Sequence, residues 1–199
     1  MLKQIIPAVR MLAVLTLFTG VLYPLLITVI AQLAFPAQAN GSLLVVDGVT
    51  VGSGLVGQAT DDPRYFWPRP SAVNTMFGSS PDALSASGAT NYGSTSAALA
   101  QAAAAREAAF RAAHNLSAGV AVPAEMLFAS GSGLDPHISP ESARLQIDRV
   151  TAARGLGRET VAALVEAHVE APMLGFLGQP RVNVLLLNLA LDAAQAALQ

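Results

Sequence analysis

The chain has 199 residues, of which 53% are hydrophobic and 12% are charged, and its net charge is −2. This balance lacks the basic face that nucleic-acid binding needs. The absence of cysteine excludes a disulfide scaffold, cysteine-ligated zinc and thiol catalysis. Charged residues usually reach about 25%, so the deficit reflects an apolar N-terminal segment and, beyond it, a surface that other chains cover.

The first predicted element is a transmembrane helix at residues 11–34. The run Met11–Leu33 contains no Asp, Glu, Lys, Arg or His, and crossing a bilayer takes roughly 20 mostly apolar residues. Pro24 lies inside this run, where neighbouring groups can satisfy the carbonyl that it frees. The rest of the sequence is too polar to cross again. We therefore predict one anchor, preceded by residues 1–10 and followed by one soluble domain at residues 40–199.

Two features bear on how this helix is used. Ala37-Gln38-Ala39 has the small-x-small pattern of a signal-peptidase site, so a cleaved signal peptide is the alternative to an anchor. The apolar run is longer than the roughly 7–15 residues of a signal sequence, which favours the anchor. Lys3 and Arg10 precede the run, and the first charge after it is Asp47. The positive-inside rule then predicts a cytoplasmic N-terminus and an external domain.

The soluble domain is expected to begin with a β-hairpin. Asp47-Gly48 separates the β-prone runs 43–46 and 49–51, and this dipeptide is a strong hairpin signal. Residues 58–91 are rich in Pro, Gly and Ser and predict a long loop, which is often functional. The residues expected to hold this loop against the core are its aromatic ones, Tyr65, Phe66 and Trp67.

The remainder of the domain is predicted to be mostly helical. Ser139 has the properties of a capping residue, with Pro140 at the first helical position and Glu141 beside the positive end of the helix dipole. Residues 181–186, rich in Val and Leu, indicate a second strand region. Strands at the two ends of the domain with helices between them indicate an α+β fold. The predicted helices are 96–114, 123–129, 140–153, 159–169 and 188 onwards.

The loop 130–137 contains the residue types of several catalytic sites. Ser132, Asp135 and His137 could form a hydrolase triad, but triad members normally come from separate elements and the Gly-x-Ser-x-Gly elbow is absent. Asp135 and His137 could supply two metal ligands, yet no further histidine lies at ligand spacing. We favour a tight turn that enters a capped helix, with the Asp135 carboxylate accepting backbone N–H groups.

A phosphate-binding loop is a further alternative for the same residues. Gly131 and Gly133 could offer backbone N–H groups to an anion near a helix N-terminus. The Lys-Ser/Thr ending of a P-loop is missing, which weakens this interpretation. On the following helix, Gln146 is expected at the surface or in an interface, and Arg149 is expected to pair with Asp or Glu. These residues do not amount to an active site.

Several ordered motifs together resemble one family, the C chains of bacterial Kdp-type potassium-transporting ATPases. They extend over nearly the whole chain, from the anchor to its last predicted helix. The motifs are Tyr23-Pro24, Asn40-Gly41-Ser42, the runs 52–58, 69–72, 87–93 and 130–140, and the run 178–184 with Asn188.

The resemblance implies a non-catalytic subunit of a bacterial inner-membrane complex that imports K⁺ at the expense of ATP. Its implied partners are a channel-like chain that selects and carries K⁺, a P-type ATPase chain and a small single-helix chain. The sequence has no Asp-Lys-Thr-Gly phosphorylation motif and no Walker A motif. No firmly bound cofactor is expected, although ATP could be reached through the complex.

Two roles are implied for such a subunit. One is a catalytic chaperone that raises the ATP affinity of the ATPase chain, with a nucleotide-related set of Ser130, Gly131, Ser132, Gly133 and Gln146. The other is a stabilising cap over the outer mouth of the K⁺-selecting chain. An external domain is separated from cytoplasmic ATP by about 30 Å of hydrocarbon, which favours the cap. The alternative outside this family is a stand-alone, membrane-anchored binding or hydrolytic domain.

Overall fold

The computed structural model describes residues 2–73 and 87–197. Part of the predicted loop, residues 74–86, lies outside this range. The chain divides into two compact units, Met1–Ser53 and Gly54–Gln199. The mixture of helices and strands behind one long apolar helix confirms the predicted α+β class.

The N-terminal unit is built on one long helix. It consists of α1 (Leu2–Leu15), a π-helical segment (Thr16–Leu22) and α2 (Tyr23–Ala34), followed by the short α3 (Pro36–Ala39). Lys3–Ala34 is long and apolar enough to cross a membrane. This agrees with the predicted anchor, since length and composition are the properties that a spanning helix needs.

The π-helical segment has a cause in the sequence. Pro24 has no backbone N–H, so it cannot donate to the preceding turn. Immediately before it, the Tyr23 N–H bonds to the Phe18 carbonyl, five residues earlier. The hydroxyls of Thr19 and Thr28 donate to the carbonyls four residues before them, at 2.7 and 2.8 Å. These two hydroxyls are thus satisfied within their own helix, as lipid requires.

The predicted hairpin is confirmed. Strand β1 (Leu43–Val46) pairs antiparallel with β2 (Val49–Ser53), with a bulge at Leu44 and Val45. Asp47 and Gly48 have φ values of 50° and 78°. Left-handed φ at both central residues is what a tight, right-twisted hairpin turn requires.

The second unit combines five helices with a small sheet in its described part. The elements are α4 (Ala97–His114), α5 (Ala124–Leu127), β3 (His137–Ile138), α6 (Pro140–Arg154), α7 (Arg158–Ala167), β4 (Val169–Glu170), β5 (Arg181–Asn183) and α8 (Val184–Ala196). The sheet is antiparallel with strand order β3-β5-β4. The helix α6 packs against α4 and α7, and α8 packs against α7 and β5.

The core of this unit lies where the helices meet the irregular segment that precedes them. Phe66 is fully buried there, so the predicted aromatic attachment of the loop is confirmed. The Ser139 hydroxyl accepts the Ser142 N–H, as predicted, and Gly155 ends α6 in the left-handed conformation. Other core residues are Phe110, Ile147, Val150, Val161, Val165, Val182, Leu187 and Leu191.

Two element ends differ from the prediction, and two strands were not predicted. The strand predicted at 181–186 ends at Asn183, and residues 184–186 are helical, because the Asn183 side chain accepts the Leu186 N–H and caps α8. The helix α7 ends at Ala167, and Val169 belongs to β4 instead. The two-residue strands β3 and β4 were not predicted, because such short segments carry no periodic pattern of their own.

Candidate functional site

Two amide side chains hold the irregular segment in the core. Gln146 of α6 accepts the Trp67 N–H at 2.7 Å and donates to the Trp67 carbonyl at 3.0 Å. Asn188 of α8 makes the same pair of bonds to Phe66, at 2.8 and 3.0 Å. The backbone N–H and carbonyl groups of Phe66 and Trp67 have no strand partner, so these side-chain amides supply the hydrogen bonds that a neighbouring strand would make.

Gln146 was expected at the surface or in an interface, and the structure places it in the core instead. Its side chain is fully buried, with 0% exposure. Its oxygen accepts from both Trp67 and Arg149, and its nitrogen donates to Trp67. The amide therefore has an internal partner on each of its polar atoms.

The buried guanidinium of Arg149 donates to this amide. Contrary to the prediction, Arg149 makes no ion pair within the described part of the chain. Its guanidinium donates to the carbonyls of Pro63 and Tyr65, at 2.6 and 2.9 Å, and lies 4.2 Å from the centre of the Trp67 ring. Burial lowers the pKa of Arg149 to about 10, which leaves it charged at neutral pH.

Arg149 also determines which ring nitrogen of the buried His114 carries the proton. Arg149 Nε donates to His114 Nε2 at 2.9 Å, so this ring nitrogen carries no proton. The opposite nitrogen, Nδ1, then donates to the Phe110 carbonyl at 2.7 Å. Burial, more than the neighbouring Arg149 charge, lowers the pKa of His114 to about 4. A protonated ring would direct a second N–H at the guanidinium.

The predicted nucleotide-related turn, residues 130–133, joins separate segments of the irregular region. The Ser130 N–H donates to the Pro70 carbonyl at 2.9 Å, and the Ser132 carbonyl accepts the Gly88 N–H at 2.8 Å. The Ser71 hydroxyl donates to the Gly133 carbonyl at 2.7 Å. The turn thus connects residues 70–71 with residue 88, and much of its backbone is used inside the domain.

The two glycines of this turn have different environments. Gly133 has a φ of 72°, and a Cβ built on it would lie 2.6 Å from the Gly88 carbonyl oxygen and 2.7 Å from Val73 Cγ2. A Cβ on Gly131 would meet nothing within 4 Å. Close approach of the backbone therefore explains the glycine at position 133 and not the one at position 131.

Asp135 has the structural role that we favoured from the sequence. Its Oδ1 accepts the His137 N–H at 3.0 Å, and its Oδ2 pairs with Arg69 at 2.8 Å. The Ser132 hydroxyl accepts the Leu134 N–H and lies 3.2 Å from the Ser130 hydroxyl. These contacts build a turn and not a relay from Ser132 to His137. In the described ranges, no three His, Cys, Asp or Glu residues are grouped as metal ligands would be.

Within the candidate nucleotide set, which lies wholly in the described ranges, Gln146 makes no hydrogen bond to the turn 130–133, whose residues bond to each other. Gln146 bonds to Trp67, whereas Ser130 bonds to Pro70 on the same segment. Beside them lies a cavity of about 230 Å³ that the sequence did not reveal. Its walls come from the irregular segment, α4 and α5, and include Trp67, Arg69, Arg106, Phe110 and Met126. Trp67 and the run 69–72 were the sequence signals for this place.

Comparison with known proteins identifies the family. The family model described as the c chain of the K⁺-transporting ATPase matches residues 5–193. A potassium-transporting ATPase KdpC subunit of Sorangium cellulosum is 54% identical over 98% of this chain and 100% of its own. The subunits of the same name from Variovorax paradoxus and Methylococcus capsulatus are 51% and 50% identical, over 96% and 97% of this chain and 96% and 99% of their own. The chain therefore belongs to the KdpC family of K⁺-transporting ATPase c chains.

Proposed function

We propose that the chain is a non-catalytic accessory subunit of an ATP-driven K⁺ importer. Its partners are the K⁺-selecting channel-like chain, the P-type ATPase chain and the small single-helix chain, and its role is to stabilise their assembly. Family membership along almost the whole chain supports this role. The candidate anchor supports a place within the lipid, beside membrane-embedded partners. K⁺ itself is carried by the partner chain.

We place the second unit outside the bacterial inner membrane, with the N-terminus in the cytoplasm. Lys3 and Arg10 lie at the N-terminal part of the long helix, and no Lys or Arg follows until Arg64. The excess of positive charge near one end of the helix favours its cytoplasmic location. The domain would then cap the outer mouth of the K⁺-selecting chain.

A role by direct contact with ATP has weaker support. The observation that carries this argument is the complete burial of Gln146, whose amide is bonded to Trp67 and Arg149. A nucleotide would have to displace these bonds and leave buried polar groups without partners, which costs about 1–3 kcal/mol for each group. A chaperone effect on ATP affinity would instead reach the ATPase chain indirectly, through the anchor.

Cysteine labelling tests this arrangement, and the absence of native cysteine removes any background. Ala118 lies exposed in the loop after α4, so an Ala118→Cys variant offers an accessible thiol. We expect a membrane-impermeant maleimide to label it in intact cells. Gln4→Cys, exposed near the N-terminus, is the matched control and should react only after lysis.

The opposite pattern would overturn the proposal. If Ala118→Cys reacts only in lysed cells while Gln4→Cys reacts in intact ones, the domain is cytoplasmic. The outer cap would then be wrong, and direct nucleotide contact would become the leading mechanism.

A further inference from the structure

The connection between β4 and β5 carries an exposed apolar turn. Residues 171–180 contain no charged residue. At its end, Met173, Leu174 and Phe176 are 68%, 77% and 73% exposed, and Leu177 is 44% exposed. Single exposed apolar residues are ordinary, but a contiguous group of large ones marks an interaction site. We name residues 173–177 the apolar tip.

The tip is a formed turn whose backbone bonds to itself. Met173 and Leu177 exchange N–H to carbonyl bonds of 3.0 and 2.9 Å, and the Gly175 N–H donates to the Pro172 carbonyl at 2.9 Å. Leu174 and Gly175 have φ values of 56° and 83°. The left-handed conformation is disfavoured for leucine, yet here it places Leu174 at the exposed end of a tight turn.

We propose that the apolar tip inserts into the lipid bilayer that holds the anchor. Entry into lipid favours backbone groups that are bonded internally, and the N–H groups of Met173, Gly175, Phe176 and Leu177 are bonded within the turn. The side chains of the tip have no hydrogen-bonding groups to desolvate. Residues 35–53 connect the long helix to the second unit and contain the short helix α3 and the hairpin β1–β2. On either side of the membrane, the second unit is therefore tethered to the bilayer that holds the anchor.

The surroundings of the tip favour lipid over a protein partner. Protein hot spots are enriched in Trp, Tyr and Arg, which combine apolar area with hydrogen bonds, and the tip has none of these. The nearest charges in sequence, Glu170 and Arg181, pair with each other at 2.8 Å. Their mutual neutralisation leaves no net charge at the base of the tip to attract an acidic or basic partner. Insertion should accordingly occur in zwitterionic lipid and be insensitive to salt.

Fluorescence of a labelled tip tests the proposal on the full chain. A Leu174→Cys variant, carrying an environment-sensitive fluorophore, is reconstituted in phosphatidylcholine vesicles. We expect blue-shifted emission, and quenching by lipids that carry a nitroxide on the acyl chain, both unchanged at high salt. Ala118→Cys, which lies in an exposed loop without a large apolar cluster, should give water-like emission and no lipid quenching.

A second substitution separates insertion of the tip from affinity of the dye for lipid. Adding Phe176→Asn to the labelled Leu174→Cys chain removes one large apolar side chain and should lower the inserted fraction about tenfold. Quenching that is unaffected by Phe176→Asn would show that the dye alone binds lipid and would overturn the proposal. Water-like emission at Leu174→Cys would overturn it as well, as would blue-shifted emission without lipid quenching, which indicates a protein surface. These outcomes are independent of which side of the membrane the domain occupies.

Discussion

Replacing Gln146 with leucine tests whether this residue is structural. Leucine fills a similar volume but leaves the Trp67 N–H and carbonyl without their partner, and it removes one acceptor from Arg149. A buried polar group that loses its hydrogen bond costs about 1–3 kcal/mol. With two backbone groups affected, we expect Gln146→Leu to lower the free energy of unfolding by about 3 kcal/mol. This is a large part of the roughly 5–15 kcal/mol that stabilises a typical domain.

The assay uses the only tryptophan of the chain, Trp67, which is the residue that Gln146 holds. Its fluorescence is followed during guanidinium unfolding of the full chain in detergent. Gln101→Leu is the matched control, because Gln101 is exposed on α4, and its effect should stay within about 0.5 kcal/mol. An unchanged midpoint for Gln146→Leu would refute the structural role and reopen a role in ligand binding.

Two further predictions concern the turn and the buried histidine. Gly133→Ala should lower the free energy of unfolding by about 2–3 kcal/mol in the same assay, because the added Cβ would overlap the Gly88 carbonyl. Gly131→Ala, whose Cβ would meet open space, should be neutral. Equal effects of the two substitutions would contradict the close approach at Gly133. His114 has its pKa lowered to about 4 in the folded chain, against about 6.5 when unfolded, so its contribution to stability is full above pH 6.5 and is lost as the pH falls towards 4. Unfolding midpoints measured across this pH range should therefore decline less steeply for His114→Gln, and parallel declines would show that His114 is not responsible.

The elements predicted correctly are those whose structure depends on residues close together in the sequence. A single segment that crosses lipid must be a long apolar helix, so composition alone predicted a span at residues 11–34, which lies within the candidate span Lys3–Ala34 of the structure. Asp47-Gly48 predicted a hairpin because few residue pairs accept left-handed φ at two successive positions. Ser139 predicted the start of α6 because a capping hydroxyl acts within one helical turn.

Predictions failed where a sequence pattern fits more than one structure and contacts with other elements determine which one forms. The apolar run 184–187 suits a strand or a buried helix equally well, and the Asn183 cap determined which one formed. Arg149 was expected to pair with a carboxylate, but two carbonyl oxygens of a distant segment, the Gln146 side-chain oxygen of its own helix and the His114 ring surround it instead. No local pattern contains that information.

The sequence by itself thus determined the family, the α+β class, the candidate anchor and the helix and turn signals, because these depend on composition, order and neighbouring residues. Only the tertiary structure decided what the polar residues of the candidate site do. Gln146 is buried because a segment far from it in sequence folds over α6 and presents unpaired backbone groups of Trp67 to its amide. Likewise, the apolar tip is exposed because the turn between β4 and β5 closes on itself, so its apolar side chains point away from the core. Burial depends on packing between segments that are far apart in the sequence, so the pattern of residues within one segment does not specify which side chains are buried.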